Sequence, residues 1–156
     1  MIKYIVETLT IILLSFILGF SYNYLSKNPL SIFSFNDKSV ELKNIVEIDS
    51  DLVDYYINDP NAIIIDARIK TEYINSHIKN AINIPVNEFD KLYQVYKNHI
   101  ESKEVIIVYC SSENCDDSLN LAKKIVKKLN KTILLYKNGF REWNSLNKDV
   151  EYGEGN

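Results

Sequence analysis

The sequence predicts an α/β fold in which a parallel sheet is covered by helices on both faces and is preceded by one N-terminal transmembrane helix. Three observations point there. Short apolar runs at Ala62–Ile65, Val105–Val108 and Thr132–Leu135 are rich in branched side chains, as in strands buried on both faces. Segments with helical spacing separate them, and that alternation implies parallel strands joined by helical crossovers. Ahead of them, no charged residue occurs from Thr8 to Ser26.

That first stretch is long enough to cross a hydrocarbon core as a helix. Ile, Leu and Phe dominate its centre, Leu9 to Phe20, while Tyr4, Tyr22 and Tyr24 fall where aromatic rings favour the membrane–water boundary. A cleaved signal peptide fits less well. The basic start is only Lys3, offset by Glu7, and no Ala-x-Ala type of site follows Gly19. A retained single-pass anchor at residues 1–26 is the expectation. Lys3 and the terminal amine compete with Lys27 and Lys38, so charge does not decide orientation; most single N-terminal anchors leave the body extracytoplasmic. Residues 27–43, with Pro29 and several Ser and Asn, read as a linker.

The domain then spans 44–150, with a tail at 151–156. Ile45–Ile48 is a short apolar run, and Ser50 or Asp51 is expected to cap a helix to about Ile57. Asp59-Pro60-Asn61 is a turn before the first long strand. A short helix at Thr71–Ser76, a strand at Ala81–Ile84 stopped by Pro85, and a helix from Glu88 to about Ile100 follow. Leu119, Ala122, Ile125, Val126 and Leu129 share one helical face, with Lys123, Lys124, Lys127 and Lys128 on the solvated side. Asn138-Gly139 is a turn, and Phe140–Leu146 a final helix.

The 156 residues suit one folded domain beside the anchor. A net charge of −3 without an isolated basic cluster argues against nucleic acid as a partner. Two cysteines are too few for a disulfide framework, and His77 and His99 lie far in sequence from both, so no metal site is expected.

Cys110 directly follows the strand Val105–Tyr109, and the loop Ser111-Ser112-Glu113-Asn114-Cys115 leads into a helix. Ligands of open α/β sheets bind beyond the carboxyl ends of strands. A cysteine there faces the amino end of the next helix, whose free N–H groups and dipole favour a thiolate.

Four stretches resemble the rhodanese-like family over about residues 45 to 150. Ile63-Ile64-Ile65-Asp66-Ala67-Arg68 resembles its strand ending in Asp-x-Arg. Glu72-Tyr73 and then His77-Ile78-Lys79-Asn80-Ala81-Ile82-Asn83-Ile84-Pro85 is similar to its Gly-His-Ile-x-Gly-Ala-x-Asn-Ile-Pro signature, with Ser76 in place of the first Gly. Val105 to Cys110 resembles the strand that carries its catalytic cysteine. Asn138-Gly139-Phe140-Arg141-Glu142-Trp143 resembles Gly-Gly-aromatic-x-x-Trp. The resemblance implies a five-stranded parallel sheet and a sulfurtransferase or persulfide carrier without a bound cofactor. Cys110 would take a sulfane sulfur from a donor and pass it to an acceptor, either being a small molecule or a protein thiol. Ser111, Ser112, Glu113, Asn114 and Cys115 would form the substrate loop, with Asp66, Arg68 and His77 in support: Asp66 and Arg68 paired to brace the loop, His77 bonded to backbone.

Family members often carry Arg in or just after the loop, whereas here no Arg or Lys occurs from Cys110 to Ser118, and Glu113, Asp116 and Asp117 do. One aspartate is expected to cap the following helix. The charge predicts weak activity with the thiosulfate dianion and makes a phosphatase untenable. The spacing Cys110-x-x-x-x-Cys115-x-x-Ser118 resembles a variant group of the family. Two further classes stay open. One is a thiol–disulfide protein using Cys110 and Cys115, the other a non-catalytic module that binds a partner at the membrane.

Overall fold

A computed structural model describes residues 2–26 and 43–153. The expected linker, apart from Lys43, lies outside the described residues, as does the chain beyond Gly153. The chain divides into two units, Met1–Asn36 and Asp37–Asn156.

The first unit contains helix α1, Ile2–Leu25, which is long and apolar enough to cross a membrane. Three of its hydroxyls turn inward on the helix's own backbone: Thr8 Oγ1 donates to Ile5 O (2.9 Å), Thr10 Oγ1 to Glu7 O (2.8 Å) and Ser15 Oγ to Ile11 O (2.8 Å). Such bonds satisfy polar side chains where no water is available.

The second unit runs β1 (Ile45–Ile48), α2 (Ser50–Tyr56), β2 (Ala62–Asp66), α3 (Lys70–Asn75), β3 (His77–Ile78), β4 (Ala81–Asn83), α4 (Phe89–Glu101), β5 (Val105–Tyr109), α5 (Asp117–Leu129), β6 (Ile133–Tyr136), α6 (Gly139–Ser145) and β7 (Val150–Glu151). A five-stranded sheet has the order β1-β6-β5-β2-β4, with every pairing parallel. Side chains of successive strand residues point to opposite faces. Ile63, Ile65, Ile106 and Val108 therefore meet Phe89, Tyr93 and Ile100 of α4 and Leu121, Ala122 and Ile125 of α5. Ile64, Ile107 and Tyr109 meet Val53 of α2, Tyr73 of α3 and Trp143 of α6 on the other face. Both faces of β2 and β5 are buried, which explains their unbroken apolar runs. The central strand is β5, so the loop after it opens between those after β2 and β6.

Local details differ from expectation. The cap of α2 is Asp49, whose Oδ1 accepts from Leu52 N–H (3.0 Å), rather than Ser50 or Asp51. Its extended backbone (φ −93°, ψ 177°) aims the carboxylate at the first turn, whereas Ser50 already belongs to the helix. α5 starts at Asp117, two residues before the apolar pattern begins, and Asp116 occupies the cap position without a side-chain cap bond. Asp116 has helical dihedrals (φ −77°, ψ −11°), which turn its side chain away from that role. An antiparallel pair also joins β3 to β7, His77 opposite Glu151 and Ile78 opposite Val150. Gly153 N–H donates to Ile74 O (2.8 Å), so the last described residues are tied to the domain.

Candidate functional site

Cys110 directly follows β5 and is 2% exposed. The chain beyond it turns back at once, with Cys115 N–H donating to Ser112 O (2.9 Å). That turn brings the Cα atoms of Cys110 and Cys115 to 6.2 Å, within the span a disulfide bridges, and the two cysteines are disulfide-bonded. Asp117, two residues further on, places a carboxylate oxygen within 4.8 Å of both sulfurs. As the first residue of α5 it also lies at the positive end of the helix dipole. Two sulfurs and an oxygen at this distance could ligate a metal only with both thiols reduced; in this form the sulfurs are committed to each other.

α6 grips the loop from the side. Phe140 N–H donates to Cys110 O (2.8 Å) and Arg141 N–H to Ser111 O (2.9 Å), so first-turn amides that lack helical partners hold the loop's carbonyls. Gly139 makes this approach possible: its φ is +68°, and a Cβ there would run into the Cys110 carbonyl. Asn138 Nδ2 donates to Glu142 Oε1 (2.8 Å) and Tyr136 Oη to Glu142 Oε2 (2.7 Å). Burial and the bond to Glu142 together push the Tyr136 phenol up.

Beneath the loop lies a buried polar network. Asp66 is fully buried and Arg68 is 5% exposed. Asp66 Oδ1 accepts from Arg68 N–H (2.9 Å) and Nε (3.0 Å), and Oδ2 from Arg68 Nη2 (2.6 Å) and Tyr109 Oη (2.6 Å). Arg68 Nη2 also donates to Ser76 O (2.7 Å), and its guanidinium stacks 4.1 Å over the Phe140 ring. Burial pulls the guanidinium pKa down, but the bonds and charge of Asp66 outweigh it, and the net shift is upward. Burial and the Asp66 charge hold the Tyr109 phenol well above its ordinary range. Ile78 N–H donates to Tyr109 Oη (3.1 Å), and Ala67 N–H to Tyr109 O (2.9 Å). The pair thus braces the end of β5 and, through Phe140, the helix that grips Cys110.

His77 is placed differently. Its Nδ1 bonds the Tyr73 carbonyl (2.8 Å), its ring stacks on Tyr73 (3.8 Å between centroids), and Nε2 faces Glu151 at 3.8 Å. A carbonyl only accepts, so Nδ1 carries the proton. Among the described residues these contacts tie His77 to α3 and β7 and none joins it to the cysteine loop.

An open cleft of 480 Å³ lies between Ser112, Glu113 and Asn114 of the loop and Asn138, Arg141 and Glu142 at the start of α6. Arg141 is the residue that sequence reasoning missed. A search for a cation confined to the loop does not reach it, although it lies two positions after Gly139 in the motif already singled out. Glu113 and Asp116 are exposed.

A model of the rhodanese-like domain matches residues 49–146. An uncharacterized protein of Buchnera aphidicola subsp. Schizaphis graminum is 33% identical over 120 residues, 74% of this chain and 76% of that protein. A Porphyra purpurea protein named "Probable molybdopterin-synthase adenylyltransferase" is 27% identical over 103 residues, 66% of this chain. The match spans only 25% of that longer relative. A crystal structure from Bacillus halodurans superimposes with a TM-score of 0.60 at 28% identity, covering 76% of this chain and 85% of that one.

Proposed function

The chain belongs to the rhodanese-like domain family, and on that premise we propose that it is a sulfur-transfer protein whose Cys110 accepts a sulfane sulfur as a persulfide and hands it to an acceptor thiol. The observation that carries this is the seat of Cys110, at the carboxyl end of the central strand and under the amides of α6. The reduced thiolate would attack the outer sulfur of a donor R–S–S⁻. The new bond joins Cys110 Sγ to that sulfur, and the donor thiolate leaves. The loop Ser111–Cys115 forms the binding surface, while Asp66 and Arg68 act through the position of the loop.

Full-length reduced Cys115→Ser protein in detergent, in which Cys110 is the one thiol, is expected to gain one sulfur at Cys110 from a low-molecular-weight persulfide, and the Cys110→Ser variant none. Thiosulfate is expected to load more slowly, because Glu113, Asp116 and Asp117 oppose a dianion while Arg141 offsets only part of their charge. Mass spectrometry of the alkylated protein checks both. Equal sulfur on Cys115→Ser and Cys110→Ser would place the chemistry elsewhere.

The disulfide itself favours a second reading, a thiol–disulfide protein cycling Cys110 and Cys115. It would exchange with dithiols and gain no sulfur from the persulfide. A binding module would do neither.

The anchor belongs to the same proposal: α1 holds the domain at a membrane, with the domain on the extracytoplasmic side. Its length, the absence of charge from Thr8 to Leu25 and the hydroxyls of Thr10 and Ser15 bonded to its own backbone support this. Full-length chain is expected to remain in the membrane fraction through an alkaline carbonate wash. Release of intact chain into the supernatant would remove the anchor from the account.

A further inference from the structure

We propose that Cys115 is a resolving nucleophile that takes the place of an external acceptor: it displaces the sulfane sulfur from Cys110 as hydrosulfide and leaves the Cys110–Cys115 disulfide behind. The inference rests on the sulfur-transfer reading and names the fate of the transferred sulfur. On this account the protein converts sulfane sulfur to sulfide, and the disulfide is the product of each turnover.

Three features support it. The turn closed by Cys115 N–H and Ser112 O brings the two cysteines to bonding geometry within one short loop. Any sulfur on Cys110 is therefore next to a second thiol, and an intramolecular attack of this kind outruns an encounter with an external acceptor. Cys110 is 2% exposed whereas Cys115 is partly exposed, so an outside acceptor meets the loop's surface before it reaches the loaded sulfur. Asp117 holds a carboxylate within 4.8 Å of both sulfurs. A persulfide is anionic and is opposed by that like charge. The disulfide is neutral, and its formation sends the negative charge out of the site on the leaving group.

The step balances. Cys110–S–S⁻ and the Cys115 thiol give Cys110–S–S–Cys115 and HS⁻. The Cys110 Sγ–sulfane bond breaks and the Cys110 Sγ–Cys115 Sγ bond forms. The thiol proton goes to the departing sulfur, which keeps the electron pair of the broken bond. The sulfane sulfur is reduced by two electrons and the cysteine pair is oxidised by two. An external dithiol, by two exchanges at the more exposed Cys115, restores both thiols and leaves as its own disulfide.

The test is a single-turnover comparison of full-length wild type and Cys115→Ser in detergent. Each is reduced, freed of reductant and mixed with an equimolar low-molecular-weight persulfide. Released sulfide is trapped with a fluorogenic alkylating agent, and thiols and masses are read on the protein. Wild type is expected to release one sulfide per chain, lose both thiols and gain no mass of sulfur. Cys115→Ser is expected to stall with one added sulfur on Cys110 and to release no sulfide. If wild type instead keeps the sulfur on Cys110 while Cys115 remains a free thiol, the resolving role falls and sulfur acceptance stands. If neither protein gains sulfur or releases sulfide, or if Cys115→Ser carries the donor's whole thiol in place of one sulfur, sulfur acceptance itself fails and the resolving role falls with it.

Discussion

Replacing Asp66 with Ala is expected to destabilise the domain by about 3–5 kcal/mol, the usual cost of removing one partner from a buried ion pair. The carboxylate is fully buried and accepts from the Arg68 backbone, the Arg68 side chain and the Tyr109 hydroxyl. Without it, a guanidinium that is 5% exposed keeps, among the described residues, the Ser76 carbonyl and two aromatic faces. The Tyr109 hydroxyl loses its acceptor at a site without solvent. For a domain of this size about 1 kcal/mol corresponds to roughly 4–8 °C, so the melting temperature should fall by more than about 10 °C. Asp66→Asn keeps the shape and one acceptor oxygen, and should fall in between. Thermal unfolding of the full-length protein in detergent, followed by circular dichroism, reads the order wild type, Asn, Ala. A melting temperature unchanged in Asp66→Ala would mean that the pair braces nothing, and the structural role given to Asp66 and Arg68 would have to be abandoned.

The pairing was legible in the sequence because Asp66 and Arg68 sit at the end of an apolar run that reads as a buried strand, where a charge needs a partner. Cys110 was legible for a similar reason, since Val105–Tyr109 fixes which residue emerges at the strand's carboxyl end. What the sequence left open depends on backbone direction over a few residues. Spacing alone allows Cys110 and Cys115 to face each other or to diverge, and the Ser112–Cys115 turn decides it. Arg141 escaped because it enters the cleft from α6, more than twenty positions along the chain from the loop it faces. The two-residue strands β3 and β7 are too short to show any alternation. The cap of α2 was misplaced by one or two residues because Asp49, Ser50 and Asp51 are all good cap formers, and only the extended backbone at Asp49 selects between them.

Gly139→Ala is expected to slow sulfur loading of Cys110 by about 100-fold, the penalty for a reacting atom displaced by about 1 Å. Two effects meet at this residue. A left-handed backbone with φ +68° costs an L-side chain about 1–2 kcal/mol. The new Cβ would also collide with the Cys110 carbonyl, which is backbone and cannot rotate away. The loop must then shift, and the bonds from Phe140 N–H to Cys110 O and from Arg141 N–H to Ser111 O stretch or break. Gly153→Ala separates the two effects. Gly153 has φ +87° but no heavy atom within 4 Å of a built Cβ, so that variant carries the conformational strain alone. It should lose about 1 kcal/mol of stability and load sulfur as wild type does. Both substitutions are to be measured, reduced and in full-length form, for melting temperature and, in a Cys115→Ser background where the sulfur stays in place, for the rate of sulfur gain at Cys110. Similar stability losses with slow loading only in Gly139→Ala would tie reactivity to the seat of the loop. Wild-type loading in Gly139→Ala would mean that the grip of α6 does not position Cys110, and the observation on which the sulfur-transfer proposal stands would lose its force.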